Sequence, residues 1–165
     1  MQRKIVVIAH NIRSTHNVGS ILRTCDGFGV VKVYFTGYTP CPASEKDERL
    51  PHLVEKITKQ IHKTALGAEQ TVKWEKGEIS EVISKLKEQQ FSIVALEQSS
   101  ISVNLADYRP TKKIALLLGE EVAGVNQDLL NLCDQTIEIP MLGNKESFNV
   151  SVAVGIALYH TRFWN

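Results

Sequence analysis

The sequence lacks any apolar run near the roughly 20 residues that a membrane-spanning helix needs, so no helical membrane span is expected. Its N-terminus, Met1 to Lys4 followed by Ile5 to Ala9, carries an apolar stretch that stops at His10 and Asn11. That is shorter than the ~7–15 residues of a signal-peptide core, and a first β-strand fits better. Cysteine is scarce too: Cys25, Cys41 and Cys133 are odd in number, far apart, and form no CxxC. This usage fits a reducing cytoplasm without disulfides. His10, His16, His52, His62 and His160 show no ligand spacing, so no metal is expected. No Gly-x-Gly-x-x-Gly follows the first strand and no phosphate loop with Lys-Ser/Thr is present, which weakens dinucleotide and nucleoside-triphosphate readings. No Gly-x-Ser-x-Gly precedes any serine, which argues against serine hydrolase chemistry. An excess of one charge is also missing. With 19 basic and 18 acidic residues, the net charge of +1 makes no general case for a polyanion partner.

What is present is the composition of a soluble globular chain, 43% hydrophobic and 22% charged over 165 residues. That length suits one domain, 1–165, with a real core. Lys4 to Ala9 is rich in Ile and Val, as in a strand buried on both faces. Val18, Ile21, Leu22, Cys25 and Phe28 recur at helical spacing, and Gly29 closes the segment as a C-cap would. Strands are expected over Val30–Thr36, Ser92–Leu96, Ile114–Leu118 and Thr136–Ile139, with a short one at Gln70–Trp74. Helices are expected over Leu53–His62, Ser80–Gln89 and Asp128–Cys133, the last capped by Asn126. Gly37 to Asp47 reads as a loop. The alternation predicts an α/β protein, a parallel sheet with helices on both faces. The last segment is ambiguous: Phe148, Val150, Val152 and Val154 alternate like a strand, whereas Val154 to His160 has a helical pattern.

Ligands of open α/β sheets bind at the carboxyl ends of the strands, and three polar segments fall there. In the first, Asn17 stands near a helix N-terminus with Arg23 one and a half to two turns later. Amides, helix dipole and a guanidinium fork together would grip an anion. Taken alone, the pair is as well explained by an N-cap and a surface arginine. The second segment delivers Gly119 and turns on Gly124, letting a flat ligand approach the backbone. Its neighbours Glu120 and Glu121 cannot both point the same way, which argues against a paired general acid and base. The third bends at Pro140 and Gly143 and ends in Ser147-Phe148-Asn149, where Ser147 is a candidate cap for a following helix. A fourth feature is basic: Arg49, Lys56, Lys59 and Lys63 gather with His52 and His62, and the three lysines share one helix face. A solvated helix face is its plainest explanation.

Together the three segments resemble the three motifs of the SpoU/TrmH family, a branch of the SPOUT superfamily. The first matches as Asn17-Val-Gly19-Ser-Ile-Leu-Arg23-Thr with Phe28-Gly29. The second matches as Leu118-Gly119-Glu-Glu121-Val-Ala-Gly124, and the third as Ile139-Pro140-Met141-x-Gly143 followed by Ser147-Phe-Asn149-Val-Ser-Val-Ala153. The match runs nearly end to end in the same order. It implies an α/β knot with a deep C-terminal trefoil, a helical final segment, a homodimer, and S-adenosylmethionine as methyl donor for an RNA ribose 2′-hydroxyl, without a metal. The resemblance implies that Arg23 is the base or an electrostatic stabiliser; since arginine stays protonated, holding phosphate and developing negative charge is the milder role. Asn17 would orient Arg23 and the ribose, while Glu121, Ser147 and Asn149 would build the acceptor pocket. Leu96, Gly119, Ile139, Met141, Ser147 and Phe148 would surround the cofactor. Phe148 departs from the family's usual Leu. Relatives grip RNA with basic tails or an N-terminal domain; neither is expected here. Arg13, Arg23, Arg49, Lys56, Lys59, Lys63 and the Tyr38–Leu50 loop would then bind RNA through phosphates, and a shape-read tRNA suits such a surface better than rRNA. Two alternatives stay open: methylation of a base nitrogen, and a catalytically silent RNA-binding dimer.

Overall fold

Seven strands, all paired in parallel, make one sheet in the order β3-β2-β1-β6-β4-β7-β5 in the computed structural model, which describes residues 2–45 and 47–164. The elements run β1 (Lys4–His10), α1 (Thr15–Gly27), β2 (Lys32–Thr36), α2 (Pro51–Ala65), α3 (Ala68–Thr71), β3 (Trp74–Gly77) and α4 (Ile79–Glu88). After these come β4 (Ser92–Leu96), β5 (Val103–Asn104), a 3-10 turn (Leu105–Asp107), β6 (Lys113–Leu118), α5 (Gln127–Leu132), β7 (Gln135–Glu138) and α6 (Val150–Phe163).

The apolar strands alternate between two cores, which explains their continuous hydrophobic runs. Ile5, Val7 and Ala9 of β1 face one side with Ile114, Leu116 and Leu118 of β6, under α1, α2 and α6. Val6 and Ile8 face the other with Ala115 and Leu117, under α4 and α5. Helices therefore cover both faces. Strand β6 enters late in the sequence yet lies between β1 and β4, and β7 pairs with the far side of β4. The carboxyl ends of β4, β6 and β7 are thereby brought side by side.

Most expected elements form, with four differences. Helix α1 begins at Thr15, three residues before the apolar pattern shows it, because the Ser14 side chain accepts the backbone N–H of Asn17. The short strand expected at Gln70–Trp74 is instead the helical turn α3 followed by β3, which starts at Trp74. The final segment is helical, and its cap is Asn149 rather than Ser147: Asn149 Oδ1 accepts from Ser151 N at 2.9 Å. Strand β5 and the 3-10 turn have no counterpart in the sequence pattern, being only two and three residues long.

Close packing aligns α1 with its neighbours. A Cβ on Gly19 would collide with Ile61 and Thr64 of α2, and Gly155 of α6 faces the Thr24 methyl. Arg162 then fastens the far end of α6, donating to the carbonyls of Phe28 (2.9 Å), Arg3 (2.7 Å) and Gly29 (2.9 Å).

Candidate active site

A cleft of about 410 Å³ opens where β4, β6 and β7 end and α6 begins. That volume lies within the roughly 300–1,000 Å³ range of small-molecule sites. Leu96, Gly119, Ile139, Ser147 and Phe148 line it, as do Glu121 and Asn149. Met141 stands outside this lining, so the structure does not place it with the other five residues expected around the cofactor. Sequence reasoning missed Glu97, Gln98 and Glu138, which also face the cleft. Their only signal was position at a strand end.

Glycine shapes the floor. A Cβ on Gly119 would run into the Gly124 backbone, and Gly124 itself takes a left-handed φ of +67°. Glu120 N donates to Gly124 O at 3.1 Å and Gly124 N returns to Glu120 O at 2.9 Å, closing a short loop with Glu121 near its tip. Leu96, Ile139 and Phe148 supply apolar wall, and Gly119 and Gly124 let the chain pack closely in the floor.

At the rim the three polar segments meet. Glu121 accepts from Asn17 Nδ2 (3.0 Å), Arg13 N (3.1 Å) and Ser14 N (3.3 Å). Asn17 Oδ1 in turn accepts from Asn149 Nδ2 at 3.2 Å. Burial alone would raise the Glu121 pKa, but the bonds from Arg13, Asn17 and Ser14 outweigh it and hold the carboxyl below its ordinary value. Glu120 takes a different partner, the Arg13 guanidinium at 2.9 Å. The two adjacent glutamates thus grip one arm, by its side chain and its backbone, and form no acid–base pair.

Arg23 is not gathered into this cleft. It lies six residues beyond Asn17 on α1, a rise of about 9 Å and roughly 240° further round the helix, on the exposed outer face. Lys56, Lys59 and Lys63 are exposed on the neighbouring α2. Arg49 belongs elsewhere: its guanidinium donates to Cys41 O (3.0 Å), Pro42 O (2.9 Å) and Asp47 Oδ1 (2.7 Å). Those bonds staple the loop before α2. Among the described residues no three His, Cys, Asp or Glu side chains gather as metal ligands, and no helix is long and apolar enough to cross a membrane.

A parallel α/β sheet with a ligand cleft at adjacent strand ends, rimmed by Asn17, Glu121 and Asn149, defines a class of small-molecule-binding domain. Residues 4–159 match the sequence profile of the SpoU rRNA Methylase family. The chain is 32% identical over 164 residues to the tRNA (guanosine(18)-2′-O)-methyltransferase of Aquifex aeolicus, covering 98% of this chain and 70% of that protein. The crystal structure of the A. aeolicus TrmH/SpoU tRNA modifying enzyme superposes with a TM-score of 0.78 at 31% identity, over 98% of this chain and 75% of that one. An AdoMet-bound rRNA methyltransferase from Sinorhizobium meliloti shares the fold, with a TM-score of 0.80 at 22% identity, and this chain spans 57% of its length. The chain belongs to the SpoU methylase family.

Proposed function

We propose that this chain is an RNA ribose 2′-O-methyltransferase using S-adenosylmethionine, with tRNA favoured over rRNA as substrate. The observation that carries this reading is the Glu121–Asn17–Asn149 network at the rim of the cleft. It joins the three segments through which the chain resembles its family. The tRNA preference rests on the Aquifex relative, named for a guanosine ribose.

The cleft fits the cofactor: Leu96, Ile139 and Phe148 offer apolar wall, and Gly119 and Gly124 form a floor without side chains. S-adenosylmethionine, when bound, supplies an electrophilic methyl group on a sulfonium. The protein's own part is positioning. Asn17, Glu121, Ser147 and Asn149 fix where the ribose hydroxyl sits, while Arg23 holds the RNA phosphate and steadies charge developing on the attacking oxygen.

Because Arg23 is absent from the lining of its own cleft, it serves the cleft of a second copy. Support for pairing comes from α6, whose Val152, Ile156, Tyr159 and Phe163 form an exposed apolar stripe continuing from Phe148. Spacing of three and four residues puts them on one face, and such a patch on a soluble chain marks an interface. Arg13, Lys56, Lys59 and Lys63 supply further phosphate contacts. The deep C-terminal knot, action of residues 1–165 as one catalytic domain, and a cytoplasmic setting belong to the same reading; all three cysteines are free thiols.

Labelled methyl transfer to unmodified total tRNA and rRNA tests the reading, beside calorimetry of S-adenosylmethionine binding. Incorporation into tRNA is expected. Cofactor binding by a dimer without transfer to either RNA would favour the silent binding protein instead.

A further inference from the structure

We propose that Glu97 is a positioning residue for methyl transfer, acting through the loop that carries Glu121; this rests on the function proposed above. Glu97 follows the last residue of β4, outside the three family segments, and its carboxylate is divided between two backbone amides. Oε2 accepts from Val125 N at 2.7 Å, and Oε1 accepts from Gln98 N at 2.9 Å. The first bond crosses from the end of β4 to the end of the loop after β6, 28 residues later in the chain. A charge-assisted bond of this length is among the stronger ones available to a backbone amide.

The loop is built to receive that carboxylate. Gly124, just before Val125, has a φ of +67°, and a Cβ there would run into the Glu97 carboxylate. Glycine is therefore required twice, for its backbone conformation and for the approach of Glu97. The paired bonds between Glu120 and Gly124 close the loop above this anchor, and Glu121 follows Glu120 at once. From there Glu121 reaches Asn17, Arg13 and Ser14. Val122 at the tip is 87% exposed, and apart from the Glu97 anchor the loop is held by these Glu121 bonds and the Glu120–Arg13 ion pair. Fixing the base of a five-residue loop fixes its tip, so Glu97 determines where the Glu121 carboxylate stands without touching the acceptor. Carboxylate geometry, rather than charge near the cofactor, is what the role requires.

Glu97→Ala and Glu97→Gln in the full chain separate these possibilities, read by kcat for methyl transfer, by the calorimetric Kd for S-adenosylmethionine, and by hydrogen exchange of the Val125 amide. Misplacement by about 1 Å costs on the order of 10²-fold in rate, so Glu97→Ala is expected to lower kcat by that order, lose Val125 protection, and change Kd far less. Glu97→Gln keeps an oxygen for Val125 N and is expected to retain kcat and protection. Gly124→Ala, which drives a methyl against an intact Glu97, is expected to lower kcat as Glu97→Ala does, and stands in should Glu97→Ala fail to fold. Unchanged kcat in Glu97→Ala, or a loss in Glu97→Gln equal to that in Glu97→Ala, overturns the positioning role. A wild-type chain that binds cofactor but transfers no methyl group refutes the reading of function instead; Val125 exchange in Glu97→Ala then reports on the anchor alone.

Discussion

Asn149 Nδ2 donates to Asn17 Oδ1 at 3.2 Å, so the residue that caps α6 also ties it to the first turn of α1. The other end of the same amide accepts from Ser151 N and Ser151 Oγ, at 2.9 and 2.7 Å. Losing an Asn cap to alanine costs about 1 kcal/mol. Asn149→Ala is accordingly expected to lower the melting temperature, weaken S-adenosylmethionine binding and abolish most transfer. Asn149→Asp keeps the capping oxygen and loses the donor to Asn17, so it is expected to spare stability while still damaging activity. Cofactor affinity unchanged in Asn149→Ala would remove Asn149 from the pocket.

Arg23 is exposed on α1 and is not among the residues that line the cleft of its own chain. Arg23→Ala is expected to eliminate transfer with S-adenosylmethionine affinity intact. If each cleft uses the arginine of the other copy, mixing Arg23→Ala with Asn149→Ala restores one working cleft per mixed dimer. Random pairing of equal amounts in a two-fold dimer recovers about one quarter of wild-type activity. No recovery from mixed dimers of confirmed composition would return Arg23 to its own cleft, and full activity of Arg23→Ala would remove it from the reaction.

Glu121 gives the site a pH signature with a defined sign. Its folded-state pKa lies below the ordinary value because the bonds from Arg13, Asn17 and Ser14 overcome the opposing effect of burial. Such a group contributes stability above its unfolded pKa of about 4.3 and loses it as pH falls through the folded value. In Glu121→Gln this contribution is absent, so stability measured by urea denaturation is expected to fall less steeply below pH 4.3. Parallel slopes for the two proteins would contradict the bonded, ionised carboxylate.

Tyr108 offers a test of the fold away from chemistry. Its hydroxyl is buried without a hydrogen-bond partner among the described residues, and burial pushes its pKa up to about 12. An unsatisfied buried hydroxyl costs stability rather than adding it. Tyr108→Phe is expected to leave the melting temperature unchanged or raise it. A clear fall would show that the hydroxyl has a partner in solution.

Strand β4 ends where its apolar run ends, Gly29 adopts the positive φ of a helix terminus, and Asn126 caps α5; local chemistry decided all three. The three polar segments were legible as strand ends for the same reason. What local chemistry does not encode is which strand ends become neighbours: β6 beside β4 follows from the crossover, and with it the meeting of Asn17, Glu121 and Asn149. Arg49 read only as a basic residue among lysines, and its bonds to the carbonyls of Cys41 and Pro42 had no signal in the sequence. Ser147 misled because Ser and Asn cap equally well, and the chain straightens into α6 only after Asn149. Beyond its place at a strand end Glu97 carried no signal, since the Val125 amide it anchors is 28 residues away.

The most direct measurement is alkaline hydrolysis of RNA labelled by this protein from methyl-labelled S-adenosylmethionine. Alkali cleaves a linkage only through a free 2′-hydroxyl. The expected result is label recovered in an alkali-resistant dinucleotide, which nucleoside mass analysis then identifies as 2′-O-methylated. Label released as an ordinary mononucleotide carrying a methylated base would contradict the assignment of the ribose hydroxyl as acceptor.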